Sequence, residues 1–299
     1  MKTFSPLVFF GSDDFSAAML TRLLQSDSFK TNLKYVVTKT PQKKGRGHVV
    51  TPTAVETLAA TIPKIEIIHA NTKKELDEAM GQLPTPLSGV LVSYGVIVSP
   101  FVLNKFEPGI INFHPSLLPK YRGPSPVETA ILSGDPQTGV SVMKLESAMD
   151  AGPVYAQKTL VLDGTETPAG LYGRIIDETA DWFSRQLDAI FDDRLQACVQ
   201  DESQATYAHI IKKEDGILRP DEKPAIELER QIRAHQNFPK SRITIDGRDI
   251  IVLKSHVDSD ETDSPLTITC ANNTFLAIDE LIAPNGKKMS ADAYLRGLQ

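Results

Sequence analysis

Two polar side chains interrupt the end of an apolar run, Ile110-Ile111-Asn112-Phe113-His114-Pro115. This composition predicts a buried strand, in which side chains alternate, so Asn112 and His114 share one face. Pro115 ends the strand and places both groups at its carboxyl end, where open α/β sheets bind ligands. An amide beside an imidazole suits acyl transfer, because the amide can stabilise an oxyanion while the imidazole moves a proton. On spacing alone, a structural His114 that pairs with backbone remains an open alternative.

A carboxylate lies further along the chain, in the small-residue loop Ser147–Pro153. Taken alone, Asp150 is typical of a turn. Paired with His114, it could fix the imidazole tautomer and shuttle protons through water. Asn112, His114 and Asp150 are therefore the candidate catalytic residues.

The elements that must position these residues alternate between apolar strands and amphipathic helices. Strands are predicted at 7–10, 33–38, 65–68, 87–92, 110–114, 140–145 and 154–162, and helices at 14–24, 53–60, 73–80, 127–132 and within 167–198. This alternation indicates right-handed βαβ units. We predict an α/β, Rossmann-like domain with a mostly parallel sheet over residues 1–205.

A different pattern occupies residues 206–299. Asp246-Gly247 between two alternating runs predicts a β-hairpin, and Leu266–Ile278 repeats the pattern around Asn272-Asn273. Several short strands in so few residues predict a C-terminal β-barrel domain of the oligonucleotide-binding (OB) type.

The first strand-to-helix turn, Phe10–Phe15, argues against a dinucleotide cofactor. It has one glycine where Gly-x-Gly-x-x-Gly would be needed, and Asp13 and Asp14 would repel a pyrophosphate. The chain also lacks a P-loop pattern. We expect one of the two aspartates to cap the following helix.

Net charge, apolar run length and cysteine content each argue against certain classes of protein. The net charge of -6 argues against a surface coated in nucleic acid, although a local basic patch remains possible. No apolar run approaches the roughly 18 residues of a membrane helix, and the N-terminal apolar run is predicted to be a strand rather than a signal peptide. Cys198 and Cys270 are far apart and lack metal-ligand spacing. We expect a cytoplasmic protein without a metal, a disulfide or a membrane segment.

A basic run follows the second predicted strand. Lys39, Lys43, Lys44 and Arg46 are four cations with no acid among them, and glycines flank Arg46. On composition alone, such a run is typical of a solvated charged loop.

The segment Asn112-x-His114-x-Ser116-Leu117-Leu118-Pro119, followed by Arg122-Gly123 and later by Asp150, resembles the signature of folate-dependent formyltransferases. Further similar segments are Phe10–Phe15, Ser93–Ile97 and Gly134–Val140. The resemblance implies that Asn112 polarises the formyl carbonyl, that His114 transfers the proton, and that Asp150 orients His114 and orders water. It implies 10-formyltetrahydrofolate as the donor, with its pterin and formyl end held by two loops. These loops comprise Ser116, Leu117, Leu118 and Pro119, and Tyr94, Gly95 and Val96.

Within this family, the chain is most similar to the group that formylates the methionine of initiator methionyl-tRNA for translation initiation. That group has a basic insertion, which Thr38–Gly47 matches, and its second domain resembles Thr206–Glu214, Leu228–Ala234 and Pro284–Ser290. The resemblance implies that Arg46 makes the specific tRNA contact while Lys43 and Lys44 meet phosphates. We expect a monomer.

Two alternatives remain open. A sugar-nucleotide N-formyltransferase would share the donor and the two domains, but would not need Lys43, Lys44 and Arg46. A non-catalytic folate-binding protein could keep the pocket and lose the chemistry, although the intact trio argues against this. The chain departs from the family pattern at Leu218-Arg219, where Asp-Trp is frequent, at Asn237-Phe238-Pro239, where Pro-Trp-Pro is frequent, and at Pro115, where the tRNA group has Gly.

Overall fold

The computed structural model describes residues 5–44, 49–260 and 264–298, and within these the N-terminal part is built on a seven-stranded sheet. The sheet has the order β5-β2-β1-β6-β7-β8-β9, and a separate hairpin pairs β3 with β4. The strands are β1 Leu7–Phe10, β2 Leu33–Thr38, β3 Gln42–Lys44, β4 Val49–Thr51, β5 Glu66–His69, β6 Leu87–Leu91, β7 Phe106–His114, β8 Gln137–Lys144 and β9 Val154–Val161.

The central strands are parallel and buried, as expected for a sheet covered by helices. All four residues of β1 are buried, and β1 pairs in parallel with both β2 and β6. β6 pairs in parallel with β7, in a register that sets Leu91 opposite Asn112. β8 runs antiparallel to β7, with His114 opposite Ser141. The predicted mostly parallel α/β sheet is confirmed.

Nine α-helices occur in the described residues. They are α1 Asp14–Leu23, α2 Asp27–Asn32, α3 Ala54–Ala59, α4 Lys73–Gly81, α5 Pro100–Leu103, α6 Pro126–Ser133, α7 Pro168–Phe191, α8 Ala225–Ala234 and α9 Ala291–Arg296. Asp13 caps α1 by accepting a hydrogen bond from the Ser16 backbone N–H, which confirms the predicted capping role of this turn. None of the helices within the described ranges combines the length and apolarity that a membrane crossing requires.

The C-terminal part contains an antiparallel five-stranded sheet, in agreement with the β-rich domain predicted there. Its strands are β10 Ser241–Ile245, β11 Arg248–Asp258, β12 Thr267–Cys270, β13 Thr274–Ile282 and β14 Lys288–Ser290. Asp246 and Gly247, both with positive φ, form the predicted turn between β10 and β11. Leu228 and Ile232 of α8 belong to the same buried apolar cluster as Val252 of β11.

The chain divides into two compact units. The first contains the described residues up to Pro124 together with Gly139–Leu160 and Tyr172–Tyr207, and the second contains Ser125–Thr138, Val161–Leu171 and the residues from Ala208 onward. The last break along the chain falls between Tyr207 and Ala208, and the domain boundary at residue 205 stays a prediction. Ser125–Thr138 belongs to the second unit because α6 packs against α8.

Phe113 supports the strand that carries the candidate site. It is buried on the face of β7 opposite to Asn112 and His114, with its ring centroid 4.7 Å from that of Phe183 and 6.1 Å from that of Phe15. Aromatic side chains bury a large apolar area, and tilted ring pairs add to it. This contact fixes which face of β7 packs against α1 and α7, and it leaves Asn112 and His114 on the other face.

Phe113→Ala should lower the free energy of unfolding by about 3–5 kcal/mol, since it leaves a cavity in a packed core. Urea denaturation followed by circular dichroism measures this loss. Phe101→Ala is the matched control, because Phe101 is 54% exposed, and it should change stability by less than about 1 kcal/mol. Equal losses for the two variants would contradict the assigned packing.

Candidate active site

Asn112 and His114 lie at the carboxyl end of β7, and both are buried. Strand alternation places them on one face, as predicted, while Phe113 packs on the other. Burial of an amide and an imidazole costs free energy unless both find partners. Their partners therefore define the chemistry that this position can perform.

The His114 ring is held by a backbone carbonyl. Its Nε2 lies 3.0 Å from the carbonyl oxygen of Tyr121, a residue with φ of 59°. A carbonyl oxygen can only accept, so Nε2 carries the proton and donates it. In the neutral ring, Nδ1 then has the free lone pair, and it lies 3.7 Å from Asp150 Oδ2. Nδ1 is the nitrogen that can take up a proton, and Tyr121 fixes this tautomer.

Asp150 joins the other two residues from the loop after β8. Its Oδ2 accepts a hydrogen bond of 2.8 Å from the Gly123 backbone N–H, and its Oδ1 lies 3.4 Å from Asn112 Nδ2. The carboxylate thus faces both the amide and the imidazole. The structure brings together all three residues that the sequence singled out, on contacts within the first unit.

The loop after β7 is held by hydrogen bonds from side chains of β8 and β9. Ser141 Oγ accepts from the Leu118 backbone N–H at 3.0 Å and donates to the Ser116 carbonyl at 2.6 Å. Gln157 Nε2 donates to the Leu118 carbonyl and to Ser141 Oγ, both at 2.8 Å. Ser116 and Leu118 are buried, whereas Leu117 and Pro119 are half-buried. The loop is rigidly held, and its half-buried side chains are the ones available to a ligand.

The second candidate donor loop follows β6. The Tyr94 side chain is buried and donates from its hydroxyl to the Ala70 carbonyl at 3.0 Å. Burial, and to a lesser extent Glu75, raises the pKa of the Tyr94 phenol. Its side chain is therefore committed to the core, and any ligand contact from Tyr94 must come from its backbone. Gly95 is exposed with φ of 74°, and Val96 is half-buried.

Lys39 connects this loop to the basic run. A Cβ atom at Gly95 would lie 3.0 Å from Lys39 Nζ, so the amine lies directly over the glycine. Thr40 is anchored by Asn71, whose Oδ1 accepts from the Thr40 N–H at 3.1 Å and whose Nδ2 donates to Thr40 Oγ1 at 2.7 Å. The start of the basic run is thereby attached to the carboxyl edge of the parallel sheet.

The basic run itself forms part of a hairpin rather than a plain loop. Lys43 pairs with Val50 and Lys44 with Val49 in antiparallel register, and the Lys43, Val49 and Val50 side chains are exposed. Arg46, the predicted specific contact, lies outside the described residues. The structure therefore places the base of the hairpin and leaves the role of Arg46 a prediction.

Sequence reasoning missed the backbone partners of the trio. The Tyr121 carbonyl and the Gly123 N–H carry no side-chain signature, because any residue could supply them. Gly123 is a partial exception, because its residue type is itself a signal: its φ of 118° is a conformation that favours glycine. Within the described ranges, no group of three or more His, Cys, Asp and Glu side chains is arranged to hold a metal ion.

Comparisons with known proteins identify the family of this chain. Residues 6–187 match the family described as formyl transferase, and residues 210–299 match the formyl transferase C-terminal domain. The methionyl-tRNA formyltransferase of Pseudomonas putida strain GB-1 is 32% identical over 295 residues, which covers 95% of this chain and 93% of that protein. The methionyl-tRNA formyltransferase of Thermotoga maritima is 35% identical over 79% of this chain and 74% of its own length.

Among solved structures, the N-formyltransferase of Helicobacter canadensis in complex with folinic acid and dTDP-3-aminofucose superposes with a TM-score of 0.68. It is 19% identical, and the match covers 92% of this chain and 99% of that one, so it supports the fold. The predicted resemblance is confirmed: with family models matching both its N-terminal and its C-terminal parts, the chain belongs to the formyl transferase family.

Proposed function

We propose that this protein transfers the formyl group of 10-formyltetrahydrofolate to the methionine amino group of initiator methionyl-tRNA. The observation that carries the proposal is the meeting of Asn112, His114 and Asp150 at the end of β7. The names and identities of its relatives support the acceptor. We further propose that it acts as a monomer in the cytoplasm.

Each member of the trio has one task in this reaction. The amine nitrogen bonds to the formyl carbon, and Asn112 Nδ2–H donates to the carbonyl oxygen as negative charge develops on it. His114 Nδ1 takes the proton that the amine nitrogen loses. The bond from the formyl carbon to folate N10 breaks as His114 returns this proton to N10, giving the formylated amine and tetrahydrofolate. Asp150 stabilises the imidazolium that exists between these steps.

The donor is proposed to bind where two loops meet the carboxyl edge of the sheet. Leu117 and Pro119 on one side and Val96 on the other offer half-buried apolar surface, which suits a flat pterin ring. Ser116 and Leu118 hold the first loop in place through Ser141 and Gln157. The backbone of Tyr94 and Gly95 offers hydrogen-bonding groups for the pterin edge, and the Lys39 amine lies beside them.

The acceptor is proposed to be recognised by the hairpin of β3 and β4. Lys43 is exposed on it, Lys44 is its neighbour, and Arg46 follows within the same connection. Phosphate contacts position a nucleic acid, whereas base contacts specify it, so we assign phosphates to the lysines and the specific contact to Arg46. A sugar nucleotide would not need such a run, and three solved N-formyltransferases, two of them named as sugar enzymes, match this chain at 15–19% identity.

His114→Ala should lower the single-turnover rate by about 10²- to 10⁴-fold, the usual range for lost acid–base catalysis. Asn112→Ala should lower it by about 10²- to 10³-fold, because the oxyanion loses its donor. Rapid-quench formylation of charged initiator tRNA measures both rates. His209→Ala, at an exposed histidine, should leave the rate unchanged. A rate near that of the unaltered protein in either of the first two variants would refute the assigned role.

Gly95→Val should weaken the binding of a formyltetrahydrofolate, because a side chain is strained at this positive φ and its Cβ would come within 3.0 Å of Lys39 Nζ, which distorts the donor loop. Titration calorimetry with 5-formyltetrahydrofolate measures the affinity. The equivalent change at Gly247, Gly247→Val, also falls on a positive-φ turn, but in the C-terminal sheet, and should leave the affinity unaltered. Tight binding of NAD by the protein, without folate binding, would reverse the choice of donor.

Replacing both Lys43 and Lys44 by Ala should weaken tRNA binding and reduce the slope of log K against log salt by about 1–2, since each lost phosphate contact removes about 0.7–0.9. Arg46→Ala should instead erode the preference for initiator over elongator methionyl-tRNA. Formylation kinetics over a salt series measure both effects. Lys30→Ala/Lys34→Ala is the matched control, because it removes two exposed lysines at the opposite end of β2. An unchanged initiator preference in Arg46→Ala would favour the sugar-nucleotide alternative.

A further inference from the structure

Arg122 is a large charged side chain that the proposed chemistry does not use, yet it is only 2% exposed. It stands between Tyr121, whose carbonyl holds His114, and Gly123, whose N–H holds Asp150. Its own backbone N–H donates to the Thr206 carbonyl at 2.9 Å. A buried guanidinium needs a full set of acceptors, so the identity of these acceptors shows what Arg122 connects.

The guanidinium hydrogen-bonds to three side chains from the segment that follows α7, those of Gln200, Glu202 and Tyr207. Nε and Nη2 donate to Gln200 Oε1 at 3.1 and 2.9 Å. Nη1 and Nη2 donate to the two carboxylate oxygens of Glu202 at 2.9 and 2.7 Å. Glu202 is 68% exposed, so solvent screens that ion pair. Gln200, which is 8% exposed, is the buried partner, and its amide extends the hydrogen-bond network toward Asp150.

The Gln200 amide can adopt only one orientation. Its oxygen faces two donors of Arg122, and its Nε2 donates to the carbonyl oxygens of Asp150 and Gly152 at 2.8 and 2.7 Å. A flipped amide would set its N–H groups against the guanidinium and its oxygen against two carbonyls. All of these contacts lie within the first unit. Gln200 therefore links Arg122 to the backbone at Asp150.

Asp150 needs such a link because its backbone conformation is unfavourable. Its φ is 49°, a left-handed value that residues other than glycine seldom adopt. The neighbouring Gly152 is closely packed, since a Cβ there would come within 1.9 Å of the Lys144 carbonyl oxygen. Two bonds from one buried amide hold the carbonyls on either side of Ala151. These two bonds hold the backbone of residues 150–152 and thereby set the direction in which the Asp150 side chain points.

We propose that Gln200, oriented by Arg122, is a positioning residue that places the Asp150 carboxylate against Asn112 and His114. The proposal rests on the catalytic role given to Asp150 above. Gln200 acts through backbone and touches neither the reacting atoms nor the proposed donor loops. A shift of about 1 Å in a catalytic group costs on the order of 10²-fold in rate, so the expected effect falls on kcat.

Gln200→Glu tests this link with almost no change in shape. The new carboxylate still accepts from Arg122, but its second oxygen replaces the Nε2 donor and faces the carbonyls of Asp150 and Gly152. We expect a fall in kcat of about 10- to 100-fold, with the KM for tRNA and the calorimetric Kd for 5-formyltetrahydrofolate within two-fold of the unaltered protein. A kcat within two-fold of the unaltered protein would overturn the proposal.

A double-mutant cycle separates positioning from general damage. In an Asp150→Asn background, Gln200→Glu should lower kcat by less than two-fold further, because the residue it positions is already lost. Gln157→Glu is the matched control. Gln157 also donates from Nε2 to a loop carbonyl, that of Leu118, so its effect should multiply with that of Asp150→Asn. An undiminished effect of Gln200→Glu in the Asp150→Asn background would overturn the proposal.

Hydrogen exchange provides a readout that needs no activity. Gln200→Glu should speed amide exchange in the peptide containing residues 148–152 and leave residues 116–120 unchanged, whereas Gln157→Glu should do the reverse. If Gln200→Glu lowers the melting temperature below the assay range, Gln200→Met removes the donor without adding charge and takes its place. Unchanged exchange at 148–152 would overturn the positioning role. A protein that forms no formylmethionyl-tRNA would instead refute the proposed function.

Discussion

One short turn, Tyr121–Gly123, holds the candidate catalytic residues together. Its first carbonyl accepts from His114 Nε2, and its last N–H donates to Asp150 Oδ2. Both side chains are largely withdrawn from water, so each depends on a fixed polar partner. Because two backbone groups two residues apart supply these partners, the distance between imidazole and carboxylate is set by the geometry of the turn. Side-chain rotamers alone could not set it.

The turn also decides which nitrogen of His114 is available for chemistry. With Nε2–H directed to a carbonyl, Nδ1 faces the carboxylate across 3.7 Å and has no proton in the neutral ring. In the proposed reaction, a proton taken up at Nδ1 lies beside the Asp150 carboxylate. Asn112 contacts the same carboxylate from the neighbouring position on β7. β7 ends at His114, and three polar groups therefore meet at the carboxyl edge of the parallel sheet.

Much of this arrangement could be predicted from the sequence. The apolar run before Pro115 predicted β7, and strand alternation placed Asn112 and His114 on one face. Asp13 as a helix cap and Asp246-Gly247 as a hairpin turn follow from local preferences that need no tertiary information. The helices that were missed, α2, α5 and α9, are six, four and six residues long, too short for an apolar periodicity to develop. β7 begins at Phe106 rather than Ile110, since Phe106 pairs with Leu87, and the register shifts before Ile110 pairs with Gly89.

The partners of the site could not be predicted in the same way. Tyr121 and Gly123 act through backbone, and Gln200 reaches Asp150 from 50 positions away along the chain. Only the folded chain brings such groups together, so no spacing rule reveals them. Ser125–Thr138 likewise belongs with the C-terminal residues because of a helix contact, α6 on α8, that a linear boundary cannot express.

The geometry of the trio also separates chemistry from acceptor choice. Asn112 can act on a formyl oxygen and His114 on an amine proton, and both atoms are common to every amine acceptor. No distance within the trio can therefore distinguish a methionyl-tRNA from an amino sugar. That choice must rest on contacts made farther from the reacting atoms, where the acceptors differ most in charge. Lys43 is exposed on the β3–β4 hairpin, and the hairpin is attached through Thr40 and Asn71 to the edge of the sheet. A cation at this position would attract a polyanionic acceptor more strongly than a small one.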